Sequence, residues 1–302
     1  MSELVKRQHF VPRTYLKRFG HMKGKEAYIY AGKKEGTADE IREANVKNVA
    51  LEKHLYTLPG DTVAQKMALE KFYSQELEMH YDSIYSILTD SRKNKISSAE
   101  RELVISTVVT MFYRTTWWIS NHKRGFAKVL EAMFELCSRT EKDYFLFEGA
   151  KFSIAEKTPD QLLKEYIDEY QPSMILRQLS SAINLISQRV KNDIIFVRKF
   201  TEENVEFITS DNPVVSVNLY GEMIDNRTIM RLPIDSKHML LLMPQGRGKL
   251  HILNTIFREN IEEDSKVEKA FFNGEQRERS EKFVFGSYAG LVDLYKANPP
   301  KP

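Results

Sequence analysis

Cysteine is almost absent from the 302-residue sequence, in which Cys137 is the single one. One cysteine excludes an internal disulfide and a zinc site built from cysteines, and it is typical of a reducing compartment. An excess of one charge is also lacking, since 45 Lys and Arg face 42 Asp and Glu, for a formal net charge of +3. This balance indicates no particular partner, because nucleic-acid binding calls for a local basic patch.

Long hydrophobic runs are missing as well. The most apolar stretch, residues 103–119, is interrupted by Arg114, so no run of about 18 apolar residues is available to cross a membrane. Residues 1–20 have no apolar core of the kind that a signal peptide needs. We therefore expect a cytoplasmic protein with no membrane partner. The phosphate-binding patterns G-x-x-x-x-G-K-[ST] and G-x-G-x-x-G are also absent.

The rest of the composition is that of a globular protein, with 42% apolar and 29% charged residues. The order of helical and extended patterns predicts an α+β fold, with helices segregated from strands. We expect one domain over residues 1–302 with three subdomains. They are a small extended N-terminal lobe at 1–61, a helical region at 62–191 and a mixed β/α region at 192–302.

Apolar residues at helical spacing define the middle region. They predict a long helix over 62–90 and a third helical stretch over 123–147. Between these two, Ser97 and Glu100 have the spacing of a capping box, so a second helix should begin there and run to about residue 120.

Two further signals concern the later part of the chain. Thr158 before Pro159 predicts the start of another helix, which Pro172 should break or kink. Short β-branched runs then predict strands, followed by a helix over 254–272 and a strand within 281–288.

The first chemically informative segment is QHFVPRTYLKRF, residues 8–19. His9 and Arg13 are four residues apart, so they share a face if the segment is helical. His9 suits a general base or a metal ligand, and the guanidinium of Arg13 can bind a phosphate or carboxylate through two hydrogen bonds. The structural alternative is a capped N-terminal helix that contains a hydrogen-bonded histidine.

The second segment is FITSDNPVV, residues 207–215, an apolar strand that ends in Ser210, Asp211 and Asn212. Carboxylates at strand ends are common positions for binding a metal or a substrate. Asp and Asn before a proline are as common in plain turns, where their side chains bond the local backbone. Both interpretations remain open from the local sequence.

Two charged residues of the helical region complete the set. Glu70 lies beside the apolar stripe of the helix predicted over 62–90. Arg114 interrupts an apolar helix, and a buried arginine without a partner would cost several kcal/mol. Its partner is therefore a carboxylate such as Glu70 or a bound anion.

Taken together, QHFVPRTYLKRF and FITSDNPVV resemble the end motifs of a mostly bacterial family, domain of unknown function 4238. Glu70 and Arg114-Thr115 match the glutamate and the Arg-Thr pair that this family carries between those motifs. The resemblance covers roughly residues 8–260 and implies no established activity. It does imply a site, in which polar residues far apart in the sequence converge in one cleft.

We expect a metal-assisted phosphodiester hydrolase, nuclease-like and of a defence or toxin type, with nucleic acid or a nucleotide as its partner. Asp211 and Glu70 would hold Mg²⁺ or Mn²⁺. The expected catalytic residues are His9, Asp211 and Glu70, and the expected substrate-binding residues are Arg13, Arg114, Ser210 and Asn212. Two alternatives remain: a non-catalytic binding or regulatory module whose polar set is an internal network, and a nucleotide or anion binder without hydrolysis.

Overall fold

The structure is a computed structural model, and it describes residues 5–147, 149–217, 228–245 and 252–297. Within this described part of the chain, no helix is long and apolar enough to cross a membrane.

The chain divides into two compact units. The first is formed by Met1–Thr115 together with Leu179–Pro302, and the second by Thr116–Gln178. The first unit thus combines residues from all three of the predicted subdomains. The division of the chain into 1–61, 62–191 and 192–302 stays a prediction.

The order of the elements confirms an α+β fold, in which an extended N-terminal lobe and a helical middle precede a mixed C-terminal region. The helices are α1 (Arg13–Leu16), α2 (Val63–Lys66), α3 (Ala68–Phe72), α4 (Tyr81–Thr89), α5 (Ser98–Tyr113), α6 (Thr116–Thr140), α7 (Pro159–Asn192), α8 (Ser265–Arg279) and α9 (Tyr288–Ala297). The strands are β1 (Arg7–His9), β2 (His21–Lys23), β3 (Glu26–Lys33), β4 (Arg42–Asn45), β5 (Leu51–Lys53), β6 (Tyr144–Phe147), β7 (Ala150–Ser153), β8 (Asp193–Phe200), β9 (Thr209–Ser210), β10 (Val215–Val217), β11 (Ile229–Pro233), β12 (His238–Pro244), β13 (Ile256–Ile261) and β14 (Phe283–Gly286).

Two five-stranded sheets organise the first unit. One has the order β10-β11-β12-β8-β13, in which β13 and β8 are parallel and the other pairs antiparallel. The other has the order β2-β3-β14-β9, with β4 also paired to β3. Because β14 lies between β3 and β9, the N-terminal lobe and the C-terminal region share one sheet.

The extended segment before β9 packs on both of its sides. Phe207 stacks on Phe200 with ring centroids 4.1 Å apart and also contacts Phe272 of α8. The next residue, Ile208, packs with Leu291 of α9 in a separate apolar cluster. Successive side chains of an extended chain point in opposite directions, so these two contacts fix the segment and carry residues 209–212 into the interior.

The second unit has its own core, formed by α6, the β6–β7 hairpin and the N-terminal part of α7. The rings of Phe126 and Tyr166 stack with centroids 3.7 Å apart. Cys137 is buried in the same cluster, which confirms that it is a core residue.

Two of the predicted helices are shorter than their apolar pattern suggests. The stretch 62–90 is broken into α2, α3, a π-helical turn (Tyr73–Leu77), a 3₁₀ turn (Glu78–His80) and α4. The capping box at Ser97 is present and starts α5, which ends at Tyr113 rather than near residue 120. Both interruptions lie close to Arg114, because Tyr73 and Glu78 contact its guanidinium and Arg114 itself follows α5.

Other differences follow from strand pairing. The stretch 123–147 belongs to α6 up to Thr140 and ends in strand β6. The helix predicted over 254–272 is wrong at its start, because Ile256–Ile261 pairs with β8, but it is confirmed from Ser265, where α8 begins. The cap at Thr158 and the strand within 281–288 are confirmed, whereas α7 continues through Pro172.

A buried ion pair joins the end of α7 to β8. Arg189 and Asp193 have fully buried side chains and lie 2.5 Å apart. Arg189 also donates to the carbonyl of Thr228 at 2.8 Å. Arg101 of α5 donates to the carbonyls of Val190 at 3.1 Å and Leu253 at 2.5 Å. The junction therefore depends on two buried guanidinium groups that donate to one carboxylate and to several backbone carbonyls.

We predict that Asp193→Ala lowers the free energy of unfolding by about 3–5 kcal/mol, because it leaves the buried charge of Arg189 without its carboxylate. Urea unfolding followed by circular dichroism measures the change. The matched control is Glu52→Ala, which removes an exposed carboxylate 3.7 Å from Lys282 and should change stability by less than about 1 kcal/mol. Equal effects of the two substitutions would contradict the prediction.

Candidate functional site

The N-terminal motif is docked inside the first unit. Gln8 is fully buried on β1, and its Oε1 accepts a hydrogen bond from the N–H of Tyr56 at 2.6 Å. The hydroxyl of Tyr15, also fully buried, donates to the carbonyl of Pro233 at 2.8 Å and shares a hydrogen bond of 2.6 Å with Thr209. These contacts place the N-terminal motif against the segment that holds the Ser-Asp-Asn motif.

Arg114 is buried at the C-terminal end of α5, with 4% of its surface exposed. Its guanidinium donates to the carboxylate of Glu78 at 2.8 Å and to the carbonyl of His9 at 2.6 Å. It also lies 4.6 Å from the ring centroid of Tyr73, within the range of a cation–π interaction. The carbonyl of Arg114 accepts the hydroxyl of Tyr56. One buried charge thus connects four separate segments of the chain.

The carboxylate that pairs with Arg114 is Glu78, whereas the sequence suggested Glu70. The π-helical turn lies between these two glutamates and changes the side of the helix on which each later residue falls. Glu70 remains electrostatically coupled to Arg114, and its Oε2 is buried without a hydrogen-bond partner among the described residues. Burial raises the pKa of Glu70, Arg114 opposes that shift and Glu78 adds to it.

His9 is half-buried and close to the same charges. Burial lowers its pKa from 6.5 to about 4, and the positive charges of Arg13 and Arg114 also lower it, while Glu78 acts in the opposite direction. The imidazole is therefore neutral at pH 7. Its Nε2 is buried without a hydrogen-bond partner in the described part of the chain. Arg13 is exposed beside it and forms no ion pair within that part.

We call His9, Glu70, Glu78 and Arg114 the Arg114 cluster. Three buried atoms of this cluster have no hydrogen-bond partner among the described residues, namely His9 Nε2, Glu70 Oε2 and Arg114 Nε. Unsatisfied buried polar atoms are rare in native proteins, and each costs about 1–3 kcal/mol. Their convergence at one place indicates a site with capacity for further hydrogen bonds.

Asp211 has a different environment. Its Oδ1 accepts the N–H of Glu281 at 2.7 Å, and its Oδ2 accepts the N–H groups of Lys282 at 2.7 Å and Phe283 at 2.8 Å. Burial raises the pKa of Asp211, and the three N–H donors oppose that shift. The carboxylate thus holds the chain that enters β14, and its two oxygens are already engaged.

Ser210 and Asn212 are bonded within the fold as well. The hydroxyl of Ser210 donates to Gln276 of α8 at 2.8 Å. The amide of Asn212 donates to the carbonyl of Arg279 at 3.0 Å, and its oxygen accepts the hydroxyl of Thr115 at 3.2 Å. Because Thr115 follows Arg114 directly, this last bond is the link between the Ser-Asp-Asn segment and the Arg114 cluster.

The predicted site residues therefore form two groups. His9, Arg13, Glu70 and Arg114 are coupled by charge, whereas Ser210, Asp211 and Asn212 are hydrogen-bonded to Thr115, to α8 and to the chain that enters β14. Among the described residues, no three His, Cys, Asp or Glu side chains are grouped as metal ligands. Catalysis at Asp211, and binding of Mg²⁺ or Mn²⁺ by Asp211 and Glu70, stay predictions.

Sequence reasoning did not single out Glu78, Tyr56 or Tyr73. Glu78 was visible as one of several carboxylates in the stretch 62–90, but no local pattern distinguished it from Glu70. Tyr56 and Tyr73 have rings 4.8 Å apart around Arg114, an arrangement that required a contact between distant segments.

Comparison with known proteins supports the family resemblance. The sequence profile of the family described as protein of unknown function (DUF4238) matches residues 7–289, which is nearly the whole chain. No curated protein matches the chain, and no solved structure matches it.

We predict that Asp211→Ala lowers the free energy of unfolding by roughly 3 kcal/mol or more, because three buried N–H groups lose their acceptor. Chemical unfolding measures the loss. Asp39→Ala is the control, because Asp39 is exposed in the same unit, and it should change stability by less than about 0.5 kcal/mol. If Asp211→Ala is as stable as the control, the carboxylate is not structural and the catalytic alternative gains support.

We also predict a specific pH dependence of stability. A histidine whose folded pKa is about 4 instead of 6.5 takes up a proton more readily when the chain is unfolded. Its contribution to stability is therefore present above about pH 6.5 and is lost as the pH falls toward 4. Unfolding free energies measured at several pH values should decrease less across this window in His9→Gln than in the wild type. The same slope in both proteins would contradict the assignment, and His21→Gln on β2 is the control.

Proposed function

The chain belongs to the family described as protein of unknown function (DUF4238), and we propose that it is a nuclease-like hydrolase of phosphodiesters. Its site is the Arg114 cluster, with Arg13 at the exposed edge. The observation that carries the proposal is the convergence of three unsatisfied buried atoms, on His9, Glu70 and Arg114, around one guanidinium group.

The donors of the cluster match an anionic group with several acceptor oxygens. Arg114 Nε has no hydrogen-bond partner among the described residues, and the exposed Arg13 forms no ion pair in that part of the chain. Arg13 can form paired hydrogen bonds with a phosphate group, and Arg114 can add one bond from Nε. A diester phosphate carries one negative charge, which suits a cluster in which Glu78 already balances part of the positive charge.

His9 and Glu70 have pKa values displaced in the directions that acid–base catalysis uses. His9 is neutral at pH 7 and can accept a proton, and burial raises the pKa of Glu70, which is the direction of shift found in general acids. In the proposed step, water attacks phosphorus and gives its proton to His9. The bond from phosphorus to the leaving oxygen breaks, and that oxygen takes the proton of Glu70.

Glu78 acts as a positioning residue, because it holds the guanidinium of Arg114 at 2.8 Å beside the carbonyl of His9. A divalent cation such as Mg²⁺ or Mn²⁺ would supply further charge stabilisation to the phosphate. In a metal-assisted version of the step, ionised Glu70 would hold the cation instead of donating a proton, because its Oε2 has no hydrogen-bond partner among the described residues, whereas the oxygens of Asp211 accept three N–H groups.

The second candidate is a non-catalytic binding or regulatory module. It is favoured by the complete hydrogen bonding of Ser210, Asp211 and Asn212, which makes the late motif a structural element. Under this proposal, Arg13 and Arg114 bind a nucleotide or another anion without hydrolysing it.

The prediction that separates the candidates concerns turnover. We expect release of nitrophenol from bis(4-nitrophenyl) phosphate, and cleavage of single-stranded DNA or RNA, measured with Mg²⁺, with Mn²⁺ and with EDTA. His9→Gln should lower kcat about 10²- to 10⁴-fold, the usual contribution of a general base, while His21→Gln on β2 leaves it unchanged.

Each other outcome has a distinct meaning. If there is no turnover but nucleotide binding is weakened by Arg13→Gln, the chain is an anion binder. If there is neither turnover nor binding, the hydrolase proposal fails and the structural interpretation of the motifs stands. If turnover by the wild type depends on Mn²⁺ or Mg²⁺, and the remaining turnover of Glu70→Gln no longer depends on either cation, the metal is assigned to Glu70.

A further inference from the structure

A polar cleft of about 290 Å³ lies on the sheet that contains β12, β8 and β13. Three residues form one row across these strands, since His238 of β12 pairs with Lys199 of β8, which pairs in turn with Asn260 of β13. The end of α4 and the turn after it, with Asn94, form the opposite wall. None of these residues belongs to the Arg114 cluster or to either sequence motif.

The imidazole of His238 is held by a buried carboxylate. Its Nδ1 lies 3.0 Å and 2.9 Å from the two oxygens of Asp235. Asp235 also accepts the hydroxyl of Tyr85 at 2.8 Å and the N–H groups of Lys237 at 2.6 Å and of His238 at 2.7 Å. Burial by itself would raise the pKa of Asp235, but these hydrogen bonds and the imidazole lower it, so the carboxylate is ionised and orients the ring.

This arrangement leaves the other ring nitrogen available. With Nδ1–H donated to Asp235, the Nε2 atom of His238 is the one that can bond a ligand. The side chain of His238 is 13% exposed and lines the cleft, and no hydrogen bond is formed by its Nε2 within the described ranges. The hydrogen bonds between Asp235 and the turn before β12 give this carboxylate a structural role. They do not account for the presence of the imidazole of His238 in the wall of the cleft.

The cations of the cleft have different roles. Arg258 donates to the carbonyls of Leu88 at 2.5 Å, Ile87 at 3.1 Å and Lys93 at 3.0 Å, so it fixes the end of α4 as a wall. Lys199 is exposed and forms no hydrogen bond or ion pair in the part of the chain that the structure describes. Lys199 is next to His238 in the sheet row, and its ammonium group carries three donors.

We propose that this cleft binds a small ligand through a phosphate group held between Lys199 and His238. The ammonium group donates to the phosphate oxygens, and the amide of Asn260 adds a donor at the end of the row. The Nε2 atom of His238 forms a hydrogen bond with the phosphate group on the other side of the ligand. The volume of the cleft suits a phosphorylated metabolite-sized molecule and not a polymer.

The test is isothermal titration calorimetry with inorganic phosphate and with glucose 6-phosphate, at constant ionic strength. We expect saturable binding to the wild type, weakened at least about 10-fold in both Lys199→Gln and His238→Gln, because a hydrogen bond to a charged group contributes about 1.5–3 kcal/mol. Tighter binding of glucose 6-phosphate would identify a phosphomonoester as the ligand, and equal binding would identify free phosphate.

Three controls make the result specific. Lys128→Gln removes an exposed lysine of α6 and should leave the affinity unchanged. His9→Gln tests the other candidate site: a loss of affinity in this variant equal to that in Lys199→Gln would place the binding at the Arg114 cluster and overturn the proposal. Circular dichroism and the melting temperature of each variant show whether it is folded.

Nuclear magnetic resonance provides an independent measurement on the wild type. The imidazole signals that disappear in His238→Gln should shift when phosphate saturates the cleft. The absence of both binding heat and this shift would overturn the proposal. An equal loss of affinity in Lys128→Gln and Lys199→Gln would overturn it too, because binding would then follow overall charge alone.

Discussion

The buried charge of Arg114 is the constraint around which the first unit is arranged. A guanidinium group is charged at every accessible pH, so once it lies inside the fold its partners must come to it. They come from β1, which supplies the carbonyl of His9, and from the 3₁₀ turn, which supplies Glu78, while the rings of Tyr56 and Tyr73 lie beside the guanidinium. The hydroxyl of the next residue, Thr115, donates a hydrogen bond to the side chain of Asn212, which connects Arg114 to the Ser-Asp-Asn segment.

The two sequence motifs meet near this charge but differ in their chemistry. In the late motif, Ser210, Asp211 and Asn212 each have partners on α8 or in the chain that enters β14. In the Arg114 cluster, by contrast, His9 Nε2 and Glu70 Oε2 are buried atoms without hydrogen-bond partners among the described residues. Stability requires the first arrangement and tolerates the second only at a cost, which is why the Arg114 cluster is the better place to look for chemistry.

The cleft beside β8 arises from sheet register and not from a sequence motif. His238 and Lys199 are 39 positions apart in the numbering, yet they are direct neighbours because β12 and β8 are antiparallel at that register. The parallel strand β13 then adds Asn260 to the same row. A shift of one residue in either pairing would turn these side chains to the other face of the sheet, so the pairing of these strands determines whether the cleft exists.

Local signals in the sequence determined the α+β order, the caps at Ser97 and Thr158 and the requirement of Arg114 for a buried partner. These follow from short-range physics: periodicity, turn chemistry and the cost of an unpaired charge. Tertiary structure alone decided that the partner is Glu78 and that the donors to Asp211 are the N–H groups of residues 281–283. Such choices depend on packing between segments about 36 to 72 positions apart, where each helix phase and strand register is fixed by its neighbours in space.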